Sequence, residues 1–284
     1  MKGYKQQNQT PTLLVGFDSA WTPKNSGALV GLIRSIDGTI KELGDPQIAN
    51  FAKATNIISE EWQKKHPSAT TIVMIDQPTI VKNSTGQRHV ENIVSSPVSR
   101  RYGGMQPANT SKSKMFGKDA PIWTFLKQFN SPDTSASEAW ETYPVLAMIA
   151  LDWVLRDSER ATGRMPKYNP TRKKTFSLDD WQYMCCQLSA ALPSPRFPIL
   201  NAWINKQNDN LQPQKADQDK LDACICLLVA LHFVEKTCLA VGDVDSGRIV
   251  IPYQENLEEE LKIRCQATDR DPIKWIETIS WKQP

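Results

Sequence analysis

Asp18, Asp76, Asp219 and Asp222 are the residues whose type and placement could do chemistry. Two apolar runs, Leu13-Leu14-Val15-Gly16-Phe17-Asp18 and Ile72-Val73-Met74-Ile75-Asp76, each end on an aspartate, and a late apolar stretch opens with Asp219 and Asp222. If the runs are neighbouring strands and the late stretch is a helix laid over their ends, three remote parts of the chain deliver carboxylates to one spot. Adjacent carboxylates repel and are costly to desolvate, so such a cluster makes sense mainly around a cation. An all-oxygen donor set suits Mg²⁺ or Mn²⁺, which serve phosphate chemistry. The expectation is phosphodiester hydrolysis.

Each acid also has a plainer reading. Asp18 precedes Ser19-Ala20-Trp21 and Asp76 precedes Gln77-Pro78, both contexts in which a short acid caps a turn. Asp219 would be favoured by a helix N-terminus in any case. Asp222 is harder to explain this way, because it lies between Leu221 and Ala223 ahead of a long apolar run. An unpaired carboxylate there is expensive, so it needs a cation, Lys215, Lys220 or an arginine as partner. Glu141 is a fourth acid at an expected strand end, with metal binding, water binding and helix capping all open to it.

The elements that must hold these acids follow from periodicity. Residues 12–18, 28–33 and 39–43 read as a three-stranded antiparallel meander with an Asp37-Gly38 turn. Residues 47–65 carry Phe51, Ala54, Ile58 and Trp62 at helical spacing, and 70–76 returns as an apolar strand. A right-handed crossover then places that strand beside the first. The stretch 77–120 is rich in Ser, Asn, Gly, Pro and basic residues and shows little periodicity, as a long loop or ordered insertion would. Helices are expected over 121–129, 145–155, 178–192, 198–205 and 217–235, strands over 138–143 and 248–252, and a charged linker over 156–170. The fold class is therefore α/β: a mixed sheet of meander plus parallel strands, flanked by helices. One domain is expected, with its core at about 12–76, 138–155 and 215–253. Residues 77–137 form an insertion, 156–212 a helical insertion, and 254–284 a C-terminal cover.

Asp219-Lys220-Leu221-Asp222-Ala223, preceded by Lys215-Ala216-Asp217, is similar to the final acidic helix of Holliday-junction resolvases in the RNase H-like superfamily. The order Gly16-Phe17-Asp18, Ile75-Asp76-Gln77-Pro78, Glu141-Thr142-Tyr143-Pro144 and Asp219 to Ala223 resembles domain-of-unknown-function family 429, described as predicted nucleases with an RNase H-like fold. Gln77 departs from the Ala common at that position in the family. The resemblance implies a two-metal site with Asp18 as the bridging ligand, Asp76 on the fourth strand, and Asp222, with Asp219, on the last helix. Glu141 matches the family's Glu-x-Tyr-Pro without a settled role.

The insertion directly follows the Asp76 strand and would overhang the acids. Its Arg88, His89, Arg100 and Arg101 are candidate substrate contacts: arginines to grip phosphates, His89 to assist proton transfer, with the Gly103-Gly104 amides close by. Arg172-Lys173-Lys174 reads as a charged surface that could extend a nucleic-acid track. His66 and His232 read as structural.

Composition sets the bounds. The chain has 284 residues, 40% hydrophobic, enough for one large domain, and a net charge of +3 that gives no support to a general basic coat. Six cysteines without metal-ligand spacing read as reduced thiols, and no apolar run is long enough to cross a bilayer. A cytoplasmic location, a nucleic-acid partner of either type and no membrane partner are expected. No nucleophile elbow, Walker loop, dinucleotide glycine pattern or zinc spacing occurs. Two rivals remain: a nucleotide-dependent phosphotransferase or ATPase with an actin-like core, and a non-catalytic scaffold binding nucleic acid or protein.

Overall fold

The computed structural model describes residues 10–130, 137–158 and 160–281. The expected polar tail before Thr12 lies almost wholly outside this range. A sheet forms around β1 (Thr12–Asp18), every residue of which is buried. β1 pairs antiparallel with β2 (Gly27–Arg34), and β2 in turn with β3 (Ile40–Glu42) and β4 (Gln47–Ala49). The expected helix over 47–65 thus begins with a strand: Gln47–Ala49 adds to the sheet, Asn50 caps the turn, and α1 (Phe51–Asn56) continues as a π-helical segment, Ile57–Gln63. The crossover then delivers β5 (Thr70–Ile75) parallel to β1, as handedness predicts.

The described part of the insertion, residues 77–130, contributes to the core. It contains α2 (His89–Arg100), the short α3 (Ser113–Phe116) and α4 (Pro121–Phe129). Val90, Ile93, Val94 and Val98 of α2 are fully buried, a helical stripe that the expectation of a non-periodic loop missed. Pro97 within the helix and the polar residues around it obscure the stripe in the sequence.

Next come β6 (Ser137–Glu141), parallel to β5, and α5 (Pro144–Ala150). The expected linker over 156–170 is instead a hairpin, β7 (Leu155–Asp157) with β8 (Arg160–Arg164), leading into the buried Met165 and Tyr168. The helical insertion follows as α6 (Leu178–Ala191) and α7 (Pro198–Asn208). The late helix is α8 (Lys215–Glu235), apolar nearly all round and buried along most of its length. β9 (Cys238–Asp243), β10 (Gly247–Pro252), α9 (Glu255–Gln266), α10 (Pro272–Trp275) and β11 (Ile276–Ile279) complete the chain, and β10 joins the sheet parallel to β6. The final order is β11-β9-β10-β6-β5-β1-β2-β3. Its centre, β3-β2-β1-β5-β6 with only β2 reversed against β1, is the α/β arrangement that the RNase H-like resemblance implies.

Two apolar layers sandwich this sheet. Leu13, Val15 and Phe17 face α1 and α4, while Leu14 faces the layer containing α8, α2, α5, α6 and α7. α8 lies directly on β1. A Cβ added to Gly16 would come within 2.1 Å of the Ala223 carbonyl oxygen and 2.3 Å of the Leu227 nitrogen, so only glycine allows the two backbones to meet. The cysteines are all free thiols, and only Cys186 is exposed. Among the described residues no helix is long and apolar enough to cross a membrane.

Candidate active site

Alternation along β1 places Asp18 on the same face as Leu14 and Gly16, beneath α8. On β5, Ile72 and Met74 belong to the α8 layer, and Asp76 follows with the same parity. The Asp76 amide continues the ladder by donating to the Phe17 carbonyl at 2.9 Å, which sets the two aspartates side by side. Ser19 Oγ reinforces this junction with a 2.5 Å bond to Gln77 Oε1. From above, the Gly16 seam brings Ala223 down onto β1 and carries its neighbour Asp222 with it. Asp219 is one helical turn away.

The charges of Asp18, Asp76 and Asp222 act on one another. The Asp18 carboxyl is pushed well above the usual carboxylate range by burial, then by Asp222, Asp76 and Asp219. Burial, then Asp222 and Glu141, push Asp76 up in the same way. Asp222 is pushed up to about 6, chiefly by burial, against the opposing effects of Lys215, Tyr168 and Gln218. Both oxygens of Asp222 are held: Tyr168 Oη donates to Oδ1 at 2.6 Å and Gln218 Nε2 to Oδ2 at 2.8 Å. Lys215 Nζ pairs with Asp219 and is the cation whose field reaches Asp18, Asp76 and Asp222 alike. Burial pulls the Lys215 ammonium down, but Asp222, Asp219 and Asp18 more than offset this and hold it above its ordinary value.

One ammonium among four aspartates leaves an excess of buried negative charge. This fits a hard divalent ion: the donors are all oxygens, three remote elements supply them, and their repulsion is relieved only by added positive charge or by protons. Among the described residues no three His, Cys, Asp or Glu side chains already form a metal shell, so Asp18, Asp76 and Asp222 would have to turn inward around an ion.

Glu141 stands at the edge of the cluster, where its charge raises Asp76 and it lines the same cleft as that residue, but its carboxylate is engaged by Arg88. It is in register with Ile75 rather than Asp76 and shares the parity of Ala139, which belongs to the opposite apolar layer. Its carboxylate accepts from Arg88 Nη2 at 2.6 Å, Arg88 Nη1 at 2.9 Å and the Thr79 amide at 3.1 Å. Arg88 is buried and also bonds Glu91 through Nε at 2.8 Å, and Glu91 in turn accepts from the Ala108 amide at 3.0 Å. Arg88 therefore ties the insertion to the sheet and has no free face for a phosphate. His89 Nδ1 lies 3.0 Å from Arg270 Nη2, with its ring edge-on to Trp275 in the C-terminal cover. Arg100 and Arg101 both pair with Glu260 on α9 at 3.1 Å. The structure thus gathers the aspartates and disperses all four expected substrate contacts.

Two clefts open beside the acids. One, of about 160 Å³, is lined by Asp76, Tyr143 and Glu141 among others. The other, of about 150 Å³, is lined by Tyr168 and Gln218, the two partners of Asp222, together with Lys167 and Arg172. Gly104 borders both, and the Tyr143 hydroxyl donates to its carbonyl. Sequence reasoning missed Tyr168 and Gln218. Gln218 could have been found from its position four residues before Asp222 on a helix face. Tyr168 carried no such signal, because only the fold brings it to α8.

A family model described as "Protein of unknown function (DUF429)" matches residues 16–246. The chain belongs to the DUF429 family. The match takes in Asp18, Asp76, Asp219 and Asp222 and stops before α9. No curated protein and no solved structure matches the chain.

Proposed function

We propose that this DUF429 member is a divalent-metal-dependent nuclease that hydrolyses phosphodiester bonds of DNA or RNA. The observation that carries the reading is the convergence of Asp18, Asp76 and Asp222 from two strand ends and a helix into one buried, under-neutralised group. Asp18, Asp76 and Asp222 would hold Mg²⁺ or Mn²⁺, with Asp219 at the margin because Lys215 already engages it. The chemistry supplied on binding is Lewis acidity toward the phosphate and a lowered pKa for the attacking water. Tyr168 and Gln218 fix the rotation of Asp222 by donating one hydrogen bond to each of its oxygens, as outer-shell partners of carboxylate ligands do. Lys215 places a fixed positive charge where negative charge would develop on a bound phosphate.

The test is cleavage of end-labelled single-stranded DNA, duplex DNA, RNA and a branched junction with Mn²⁺ or Mg²⁺ and with EDTA. Metal-dependent products that disappear in Asp18→Asn and Asp222→Asn are expected. No cleavage of any substrate with either metal, or full activity in Asp222→Asn, would overturn the reading.

A further inference from the structure

The cleft beside Asp222 has a composition that the acid cluster does not explain. Arg172 lines the cleft, and Lys173 and Lys174 follow it in sequence just outside the lining; all three are exposed, and among the described residues no ion pair or side-chain donor bond occupies their charged groups. Lys167 lines the cleft with Arg172, and its ammonium donates to the Tyr102 carbonyl at 2.8 Å. Gln218 also lines the cleft and is 8% exposed; its Nε2 donates to Asp222, and its Oε1 is buried with no hydrogen-bond partner among the described residues. A buried acceptor left open at the base of a cleft calls for a donor on whatever enters.

Tyr102 forms the rim and is 60% exposed. The Gly103 amide donates to the Val98 carbonyl and the Tyr102 amide to the Ser99 carbonyl, both at 3.0 Å, so Tyr102 is the left-handed residue that closes α2. Its φ is +55°, in a position glycine ordinarily fills, and Gly103 follows one residue too late to serve. A bulky aromatic is thus kept where it strains the backbone, and its ring projects from the surface with the Arg160 guanidinium 5.2 Å from its centroid.

We propose that this cleft binds one unpaired strand of nucleic acid, with a base stacked on Tyr102, phosphates on Lys167 and Arg172 to Lys174, and a sugar hydroxyl or base N–H donating to Gln218 Oε1. The proposal rests on the nuclease reading, since it leads the strand to the acids, and it sharpens that reading to a single-stranded substrate. The cleft, of about 150 Å³, has room for a base or a sugar. Aromatic rims with flanking cations are the usual construction of single-strand sites.

The experiment is fluorescence anisotropy in EDTA with Asp18→Asn protein and labelled 12-nucleotide single strands of DNA and RNA, against a blunt duplex of equal length. Single strands are expected to bind at least tenfold more tightly than the duplex. Tyr102→Ala should weaken single-strand binding between about fivefold and a hundredfold, the loss of one stacked base, and Tyr102→Trp should retain it. Tyr102→Gly should weaken binding while raising the thermal midpoint, which a merely structural tyrosine would not do. Arg172→Ala/Lys173→Ala/Lys174→Ala should lower the salt slope by about 2. Duplex binding as tight as single-strand binding, or no loss in Tyr102→Ala, overturns the proposal even if cleavage is observed. Single-strand binding that depends on Tyr102, without cleavage under any metal, sustains this site and sinks the nuclease reading instead.

Discussion

Two groups of buried acids share the same end of the sheet and have opposite fates. In the first, Glu141 and Glu91 clasp Arg88, and amides from Thr79 and Ala108 fill their remaining lone pairs. In the second, Asp222 raises both Asp18 and Asp76, Asp76 also raises Asp18, and Lys215 is the cation whose charge reaches all three. The first group is hydrogen-bonded within the protein and acts as a clamp between insertion and sheet, although burial still outweighs Arg88 and holds Glu141 above its ordinary range. The second is short of positive charge, so its native state favours protons or an added cation. A buried acid in itself is therefore a poor guide to function; what distinguishes the two groups is whether the chain supplies the compensation.

Substitution separates them most sharply. Asp18→Asn and Asp222→Asn each remove a ligand charge worth several kcal/mol at the transition state, so metal-dependent cleavage should fall by about three orders of magnitude. The same changes relieve repulsion, and the metal-free proteins should unfold at higher urea than wild type at pH 7. Arg88→Met should do the reverse, costing about 3–5 kcal/mol of stability by stranding Glu91 and Glu141, as read from urea midpoints. If Arg88→Met were neutral, or Asp222→Asn as destabilising as Arg88→Met, the contrast between the groups would be lost.

Much of this was legible before the fold. β1, β5 and α8 carry unbroken apolar runs whose ends are marked by Asp18, Asp76 and Asp222, and handed crossover logic brings β5 to β1. The failures have physical causes. Glu141 ends a strand as the aspartates do, but it is in register with Ile75 rather than Asp76, and its carboxylate is taken up by Arg88. Arg100 and Arg101 read as available because a sequence does not show a partner such as Glu260, more than 150 positions away, whereas the partner Glu91 lies only three residues after Arg88. Tyr168 was assigned to a linker since the charges around it hide the hairpin that carries it inward.

Titration probes the second group without mutation. Asp222 has a folded pKa of about 6 against an unfolded value of about 3.9, so the native state holds more protons than the unfolded state between these limits. Stability from this site is then fully present below about pH 4 and lost as pH rises through 6, with Asp18 and Asp76 shifting in the same direction. In EDTA the wild-type midpoint should fall across that window relative to Asp222→Asn, by an amount on the order of a few kcal/mol. Mn²⁺ at pH 7 should restore it, by about 2.7 kcal/mol at a hundred times its dissociation constant. Equal pH profiles for the two proteins would mean that the acids are already neutralised from within.

The smallest effect tests whether that neutralisation is positional as well as electrostatic. Tyr168→Phe removes the 2.6 Å bond to Asp222 Oδ1 and leaves Gln218 as the side chain hydrogen-bonded to that carboxylate. The ring stays, so packing against α8 is retained and the stability change should be about 1 kcal/mol. Loss of an outer-shell partner typically costs about 10- to 100-fold in metal affinity or activity. Calorimetric titration with Mn²⁺ should therefore show weaker binding in Tyr168→Phe, and raising the metal concentration should recover much of the lost cleavage. Asp222→Asn should not be rescued in this way, because it lacks the ligand charge itself. A Tyr168→Phe protein that binds Mn²⁺ as tightly as wild type would confine Tyr168 to packing and leave Asp222 oriented by Gln218.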